Sequence, residues 1–466
     1  MLSKRPRSLA LRFVLMSLTA LLLSACDSPE PVTDNSIILV TRTGPTTHYE
    51  TLYGPSGFEY DMAQAYARYT NRSLKIVQAN SIAEILTQLD SGAAHIGAAG
   101  LTATSDRARR YHFSPAYMNV NQLVLYRYGA LRPRSVDKLK HGKLTILRGT
   151  SHEDTMNSLT TEHPSLSWSY AQSNEILGLM DSLRRGETDY IIVDSNDYDL
   201  YKSTFPGIGI AFTIKRNDKL VWMMGAKQDN ALLASIDQFF EQITENGELE
   251  SLVERHYGHI SHMGRNDSRT FAKRVQHRLP TMEDLIKKIA LEEGLDWRLL
   301  AAISYQESHW NPKAKSPTGV RGLMMLTKIT AKEMGVTNRV DAEQSLRGGA
   351  GYLLKLKGRL SENIHEPDRS WMALAAYNVG FGHLEDARVL TEKLGGNPNH
   401  WMDVMEHLPL LRKREYYSQT RHGYARGEEP VTYVQRIRNY YTQLAWRDRN
   451  EDIMVAMAGS AGPTIR

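Results

Sequence analysis

One acid in this sequence sits where a helix should bury an alkyl group. A helix predicted to begin near Asp296 places Leu299, Leu300 and Ile303 on one stripe, and four residues after Ile303 the same face presents Glu307. Desolvation there disfavours the carboxylate, raises its pKa, and yields a side chain still protonated near neutral pH that is able to donate to a leaving oxygen. That is the profile of a general acid. On helix pattern alone, the competing reading is a helix-end glutamate facing water or satisfied by an arginine. Other polar patterns are weaker. His256, His259 and His262 recur at three-residue spacing but fall in a predicted linker with no cysteine or carboxylate partner, so no metal and no cofactor is expected. Arg347-Gly348-Gly349-Ala350-Gly351 follows no strand and lacks the P-loop lysine, which favours helix packing over phosphate binding.

Two kinds of periodicity must position these groups. From residue 36 to 257, short β-rich runs (37–41, 74–77, 96–99, 123–126, 144–147, 190–193 and 221–225) alternate with amphipathic helices such as 60–69 and 82–89, an α/β pattern. Residues 258–280 are polar, basic and weakly periodic and are read as a linker. From Thr281, which with Asp284 has capping-box spacing, the pattern is helical almost to Trp446, giving an all-α domain over 281–450 and a tail over 451–466. A chain of 466 residues is too long for one core. Two domains are expected.

The helical part carries ordered motifs: Tyr305-Gln306-Glu307-Ser308-His309-Trp310-Asn311-Pro312, then Ser316, then Gly322-Leu323-Met324-Met325-Leu326-Thr327, then Ala375-Ala376-Tyr377-Asn378-Val379-Gly380. The set resembles the soluble-lytic-transglycosylase family, with its Glu-Ser, Gly-Leu-Met and Ala-Tyr-Asn-x-Gly motifs on a lysozyme-like helical fold. The resemblance makes Glu307 the acid/base and gives Ser316 a hydrogen bond to the carboxylate or the sugar. It sets Gly322, Leu323 and Met324 on the groove floor and Tyr377 and Asn378 near the reacting sugar. Glu429 and Tyr433 resemble a late Glu-x-x-x-Tyr-Val motif, although a core tyrosine under Ile437 is the alternative for Tyr433. Met325 departs from the family's glutamine.

The first half resembles the family 3 solute-binding proteins, on Gly57-Phe58-Glu59-Tyr60-Asp61-Met62-Ala63, residues 97–104, Asp106-Arg107 and Phe113-Ser114-Pro115-Ala116-Tyr117. That implies a two-lobed periplasmic-binding-protein (type II) domain that is regulatory rather than catalytic. In the family an arginine at the place of Arg107 pairs bidentately with a ligand carboxylate, a geometry lysine cannot match. Thr102, Thr150 and Asp194 fall at its other ligand contacts, the Asp taking an amino group. The bland alternative makes Arg107 a solvated residue beside Arg109 and Arg110, with Asp194 merely starting a turn.

The motif cluster supplies one acid, whereas ordinary retaining and inverting glycosidases need two. The implied reaction is therefore substrate-assisted cleavage between N-acetylmuramic acid and N-acetylglucosamine in peptidoglycan, closing a 1,6-anhydromuramyl end without water, as in a lytic exotransglycosylase. A lysozyme-like hydrolase and a non-catalytic solute or peptidoglycan receptor are the competing functions. The implied partners are glycan strands and, at the first domain, muropeptide stem peptides.

The leader fits that setting. Lys4, Arg5, Arg7 and Arg12 precede an apolar run over 13–23 that is too short to span a bilayer, the layout of a signal peptide over 1–25. Leu23-Ser24-Ala25-Cys26 resembles a lipobox, so Cys26 is expected to be lipidated and residues 26–35 to form a tether; a plain signal peptide with peripheral membrane contact is the alternative. The expected location is the periplasmic face of the envelope at the outer membrane, with Asp27 leaving the inner membrane open. Cys26 is the only cysteine, so no disulfide supports either domain. A net charge of +5 without a Lys/Arg block interleaved with aromatics argues against nucleic acid.

Overall fold

A computed structural model describes residues 35–460 except 45, 52, 53 and 263. The signal peptide, Cys26 and Asp27 lie outside the described residues, as do residues 461–466. The α/β half is built on one mixed sheet in the order β4-β1-β5-β11-β7-β10-β8-β9, with β6 pairing β11. These strands are β1 (Ser36–Thr41), β4 (Ser73–Gln78), β5 (Ile96–Thr102), β6 (Tyr111–Phe113), β7 (Met118–Arg127), β8 (Leu144–Ile146), β9 (Ser169–Tyr170), β10 (Tyr190–Asp194) and β11 (Ile208–Gly225); β2 (Tyr49–Thr51) and β3 (Gly54–Ser56) form a separate hairpin. Each stretch expected as a strand lies in a strand, except that Leu147 falls one residue past β8.

β1 pairs in parallel with β4 and β5, as the intervening helices α1 (Phe58–Thr70) and α2 (Ile82–Ser91) require. The 18-residue β11 joins two lobes: Ile208 to Phe212 pair with β7, and Leu220 to Gly225 pair with β5 and β6. Buried side chains cover both faces of the sheet in each lobe, with Trp222, Phe239 and Phe240 on one side of the first lobe and Ile85, Leu89 and Leu101 on the other. The second lobe is closed by α3 (Ser151–Leu159), α4 (Ile176–Arg185) and α5 (Ser195–Tyr201). Helices α6 (Asn230–Glu245) and α7 (Glu248–Tyr257) return to the first lobe.

The segment expected as a linker is instead structured. It forms a 3₁₀ turn (Gly258–His262), helix α8 (Arg265–His277) and a second 3₁₀ turn (Leu279–Thr281). Its polar composition hid one anchor, Phe271, which is buried against Tyr305, Trp310 and Tyr440. The expected capping box is also absent, since Thr281 donates to the Arg278 carbonyl and Met282 occupies the N-cap of α9 (Glu283–Glu293).

The helical half continues with α10 (Trp297–Ser308), α11 (Lys328–Glu333), α12 (Ala342–Arg359), α13 (Asp368–Val379), α14 (Phe381–Lys393), α15 (Trp401–His407), α16 (Arg414–Tyr417) and α17 (Glu428–Ser460). Residues 451–460, expected as a tail, extend α17. The Gly-rich run lies in α12, where a Cβ on Gly349 would come within 2.6 Å of the Met324 side chain, so these glycines admit a close neighbour. Helix α10 is the hub and is buried nearly all round, from Leu299 through Tyr305. No helix among the described residues is long and apolar enough to cross a membrane.

If α8 belongs to the helical core, Phe271→Ala leaves a cavity at the aromatic cluster and lowers stability by about 3–5 kcal/mol. Urea unfolding of the full chain followed by tryptophan fluorescence checks this; an unchanged midpoint would return α8 to the status of a linker.

Candidate active site

Helix α10 starts on a strong cap. Asp296 accepts from the Arg298 backbone N–H at 2.9 Å and from the Arg298 guanidinium at 2.8 Å, and its second oxygen also accepts from the Tyr441 hydroxyl of α17 at 2.9 Å. The helix ends at His309, whose left-handed conformation (φ 53°) terminates it one turn after Tyr305. In that last turn Glu307 is partly buried, and Tyr433 of α17 donates its hydroxyl to Glu307 Oε1 at 2.6 Å. α17 therefore holds α10 near both ends.

Burial pushes the Glu307 carboxyl up to about 7, against the opposing pull of the Tyr433 hydrogen bond. Tyr433 and Tyr377 are both held well above the ordinary phenol range, by burial first and then by the negative charge of Glu307. Tyr377 donates to the Met324 carbonyl at 3.1 Å and meets Tyr352 edge-on at 5.4 Å between centroids. Gly322 fixes that carbonyl's loop: its φ is 89°, and a Cβ would lie 1.7 Å from the Arg339 carbonyl oxygen, so only glycine fits. The Met324 N–H donates to Ser345 Oγ at 3.1 Å. The arrangement is one carboxyl able to carry a proton near neutral pH, one phenol bonded to it, and a second phenol within range of its charge.

The other expected residues are distributed unevenly. Leu323 and Met324 are fully buried, so their side chains belong to the core rather than to a groove floor. Asn378 is exposed at the end of α13. Ser316 does not bond Glu307 but bonds its own loop, sharing a hydrogen with Thr318 Oγ1 at 2.8 Å and accepting from the Val320 N–H at 3.2 Å. Glu429 is a solvent-facing first-turn residue of α17, paired with exposed Arg426 at 2.9 Å. Of the late motif, only Tyr433 reaches the carboxyl. Sequence reasoning missed Tyr352 and Ser345, which carry no motif of their own.

In the two-lobed domain Thr102, Arg107, Thr150 and Asp194 line one cavity between the lobes. Arg107 is buried and donates to the Thr102 and Gly149 carbonyls, each at 2.9 Å, and so bridges the lobes. Ser151 donates to Thr102 Oγ1 at 3.1 Å, a second bridge. Thr150 faces the Leu147 carbonyl, and Asp194 already has a partner in His152 Nε2 at 3.1 Å. Two further charged residues with no motif of their own line this cavity: Arg42, and Asp197, whose carboxyl burial and the Asp194 charge raise to about 7. Trp446 of α17 reaches the same cavity and packs edge-on against Tyr49 and Tyr201. The histidine triplet is divided: His256 meets Asp61 at 2.9 Å and His259 meets Thr442 at 3.2 Å.

The family model "Transglycosylase SLT domain" matches residues 284–398. The model "Bacterial extracellular solute-binding proteins, family 3" matches residues 37–259. A Saccharophagus degradans protein named membrane-bound lytic murein transglycosylase F is 45% identical over 419 residues, covering 90% of this chain and 84% of that protein. An Idiomarina loihiensis protein of the same name is 41% identical over 451 residues, covering 95% and 99%. The chain belongs to the membrane-bound lytic murein transglycosylase F family. Among solved structures, an ancestral arginine-binding protein bound to arginine is similar at 19% identity and a TM-score of 0.44, over 48% of this chain and 98% of that one.

As a member of this family the chain is a peptidoglycan lytic transglycosylase of the cell envelope, a lyase, with a solute-binding domain ahead of its helical domain. For such an enzyme the Tyr433–Glu307 contact makes two checkable statements. Loss of the hydroxyl in Tyr433→Phe removes the one interaction that lowers the Glu307 pKa, so the alkaline limb of its kcat/KM profile moves to higher pH while kcat falls about tenfold. An unshifted limb would mean that the contact does not govern the proton. The second concerns stability. Because the folded pKa lies above the unfolded value, ionisation of Glu307 opposes folding, and stability falls as pH rises from the unfolded pKa through about 7. The neutral Glu307→Gln protein should match wild type near pH 4 and melt roughly 2–5 °C higher at pH 8, by calorimetry at both pH values.

Proposed function

We propose that Glu307 performs both proton transfers of a substrate-assisted cleavage that leaves a 1,6-anhydromuramyl end. Protonated Glu307 gives its proton to the glycosidic oxygen leaving C1 of N-acetylmuramic acid, while the 2-acetamido oxygen of that sugar stabilises the cationic carbon. The resulting carboxylate, kept in place by Tyr433, then takes the proton of the same sugar's 6-hydroxyl as its oxygen closes onto C1. The acid is regenerated and no water is consumed. The observation that carries this reading is a carboxyl raised to about 7 whose side-chain hydrogen-bond partner among the described residues is a tyrosine and not a second carboxylate. Tyr377, tied to the Met324 carbonyl, would face the reacting sugar.

Glu307→Gln should keep the fold and lose turnover by at least about 10³-fold. Mass spectrometry of muropeptides released from purified sacculi by the wild type decides the product: anhydro ends support the reading, and ends heavier by one water would make the enzyme a hydrolase.

The finer cellular reading is a Cys26-lipidated protein at the outer membrane whose domain over residues 36–257 senses stem peptides. Support for sensing comes from one helix. α17 brings Tyr433 to the catalytic carboxyl and Trp446 to the cavity of Arg107 and Asp194, and between them Arg438 is anchored on α7 by Glu254 Oε1 at 3.1 Å and by the Glu254 and Arg255 carbonyls. A peptide held between the lobes would change the turnover rate only through different affinity for two positions of this helix. Calorimetry and turnover with free stem tripeptide should show heat and a several-fold rate change, both lost in Arg107→Ala. Neither heat nor rate change in the wild type would remove the sensing role.

A further inference from the structure

The flank of α10 away from its cap is strongly basic. A concavity there is lined by Arg274 of α8, by Gln306 and His309 at the end of α10, and by Arg436 of α17, with Asp267 as the acid at its edge. Gln306 immediately precedes Glu307, and Arg436 lies one helical turn beyond Tyr433, so this hollow is built on the same two helices as the carboxyl–phenol pair, which does not itself line it. A second hollow runs from it along α8, past Arg274 to Arg269, Lys273 and Arg278.

Two of these cations carry donors that the fold leaves unused, although Arg278 donates to the His309 carbonyl at 3.0 Å and Arg274 also lies over the Tyr305 ring. Arg274 Nη1 is buried without a hydrogen-bond partner among the described residues. The Arg436 side chain forms no hydrogen bond or salt bridge among them. The His309 ring is held below its ordinary pKa by burial and then by the charges of Arg274, Arg278 and Arg436, which outweigh the opposing charge of Asp267. A buried guanidinium nitrogen with no acceptor is costly unless an acceptor arrives.

The enzyme's substrate brings such acceptors, because the lactyl group of each muramyl residue carries a peptide with free carboxylates. We propose that the α8–α10–α17 concavity is a carboxylate subsite that holds the peptide side chain of the glycan strand beside the bond being cleaved. Arginine forks match carboxylates bidentately, and the spacing of cations along α8 suits several carboxylates on one peptide. A membrane surface is the less favoured partner, since α8 exposes no large apolar side chain of the kind that anchors an interfacial helix. The subsite rests on the family's peptidoglycan substrate, and not on the anhydro product or on sensing between the lobes.

The test compares full-length wild type with Arg436→Gln and, separately, Arg274→Gln, on intact glycan strands and on strands stripped of peptides by an amidase. The expected result is about a tenfold fall in the ratio of kcat/KM on peptide-bearing to peptide-free glycan, carried by KM, as loss of one charge-assisted hydrogen bond implies. Arg436→Lys should restore part of it. An unchanged ratio overturns the subsite, whether both substrates slow equally or neither slows. So does loss of binding to anionic phospholipid vesicles at an unchanged ratio, which would assign the surface to a membrane.

Discussion

The structure turns on a carboxyl group held out of water at the end of a buried helix. Glu307 is the only acid in α10, and the helix around it is packed on every side by Leu299, Leu300, Ile303 and Tyr305. Such a site opposes ionisation, and the Tyr433 hydroxyl offsets only part of that opposition. The balance leaves the proton available near neutral pH. Everything that fixes α10 in place therefore also sets its acidity: the Asp296 cap, the Tyr441 bond to that cap, and the aromatic packing of Phe271, Tyr305 and Tyr440.

α17 extends this constraint beyond the helical domain. Its first half bonds α10 through Tyr433 and Tyr441 and carries Arg438 onto α7, and further along Trp446 packs between Tyr49 and Tyr201. A helix transmits displacement along its length with little loss, because each turn is hydrogen-bonded to the next. One continuous element thus adjoins both the carboxyl and the cavity between the lobes. The lobes themselves are bridged by Arg107 and Ser151, whose partners are protein groups that a ligand would displace or share.

Much of this was legible in the sequence, for physical reasons that differ by element. Strands such as Tyr190–Asp194 are buried on both faces and announce themselves as continuous apolar runs, and the stripe ending at Glu307 gave the helix and its anomaly together. The first part of β11 escaped because its exposed stretch around Arg216 and Asn217 reads as a loop between two strands. α8 escaped because a single phenylalanine anchors an otherwise polar helix. At the site, Tyr433 was found by motif, whereas Glu429, four residues earlier on the same helix, faces water beside Arg426. The first turn of α17 packs through Pro430 and Val431 and turns Glu429 outward, a side that motif spacing does not report. Ser316 likewise answers to its own turn, where Thr318 and Val320 are nearer partners than the carboxyl.

The central claim is a statement about one proton, so the most direct measurement is of that proton. Carbon-13 labelling of glutamate side chains, with Glu307→Gln to assign the resonance, allows the Glu307 carboxyl to be titrated by NMR in the intact protein. The account predicts a midpoint close to 7, well above that of a solvent-exposed glutamate, and a further rise in Tyr433→Phe. A midpoint near 4.5, unchanged by removal of the Tyr433 hydroxyl, would contradict it.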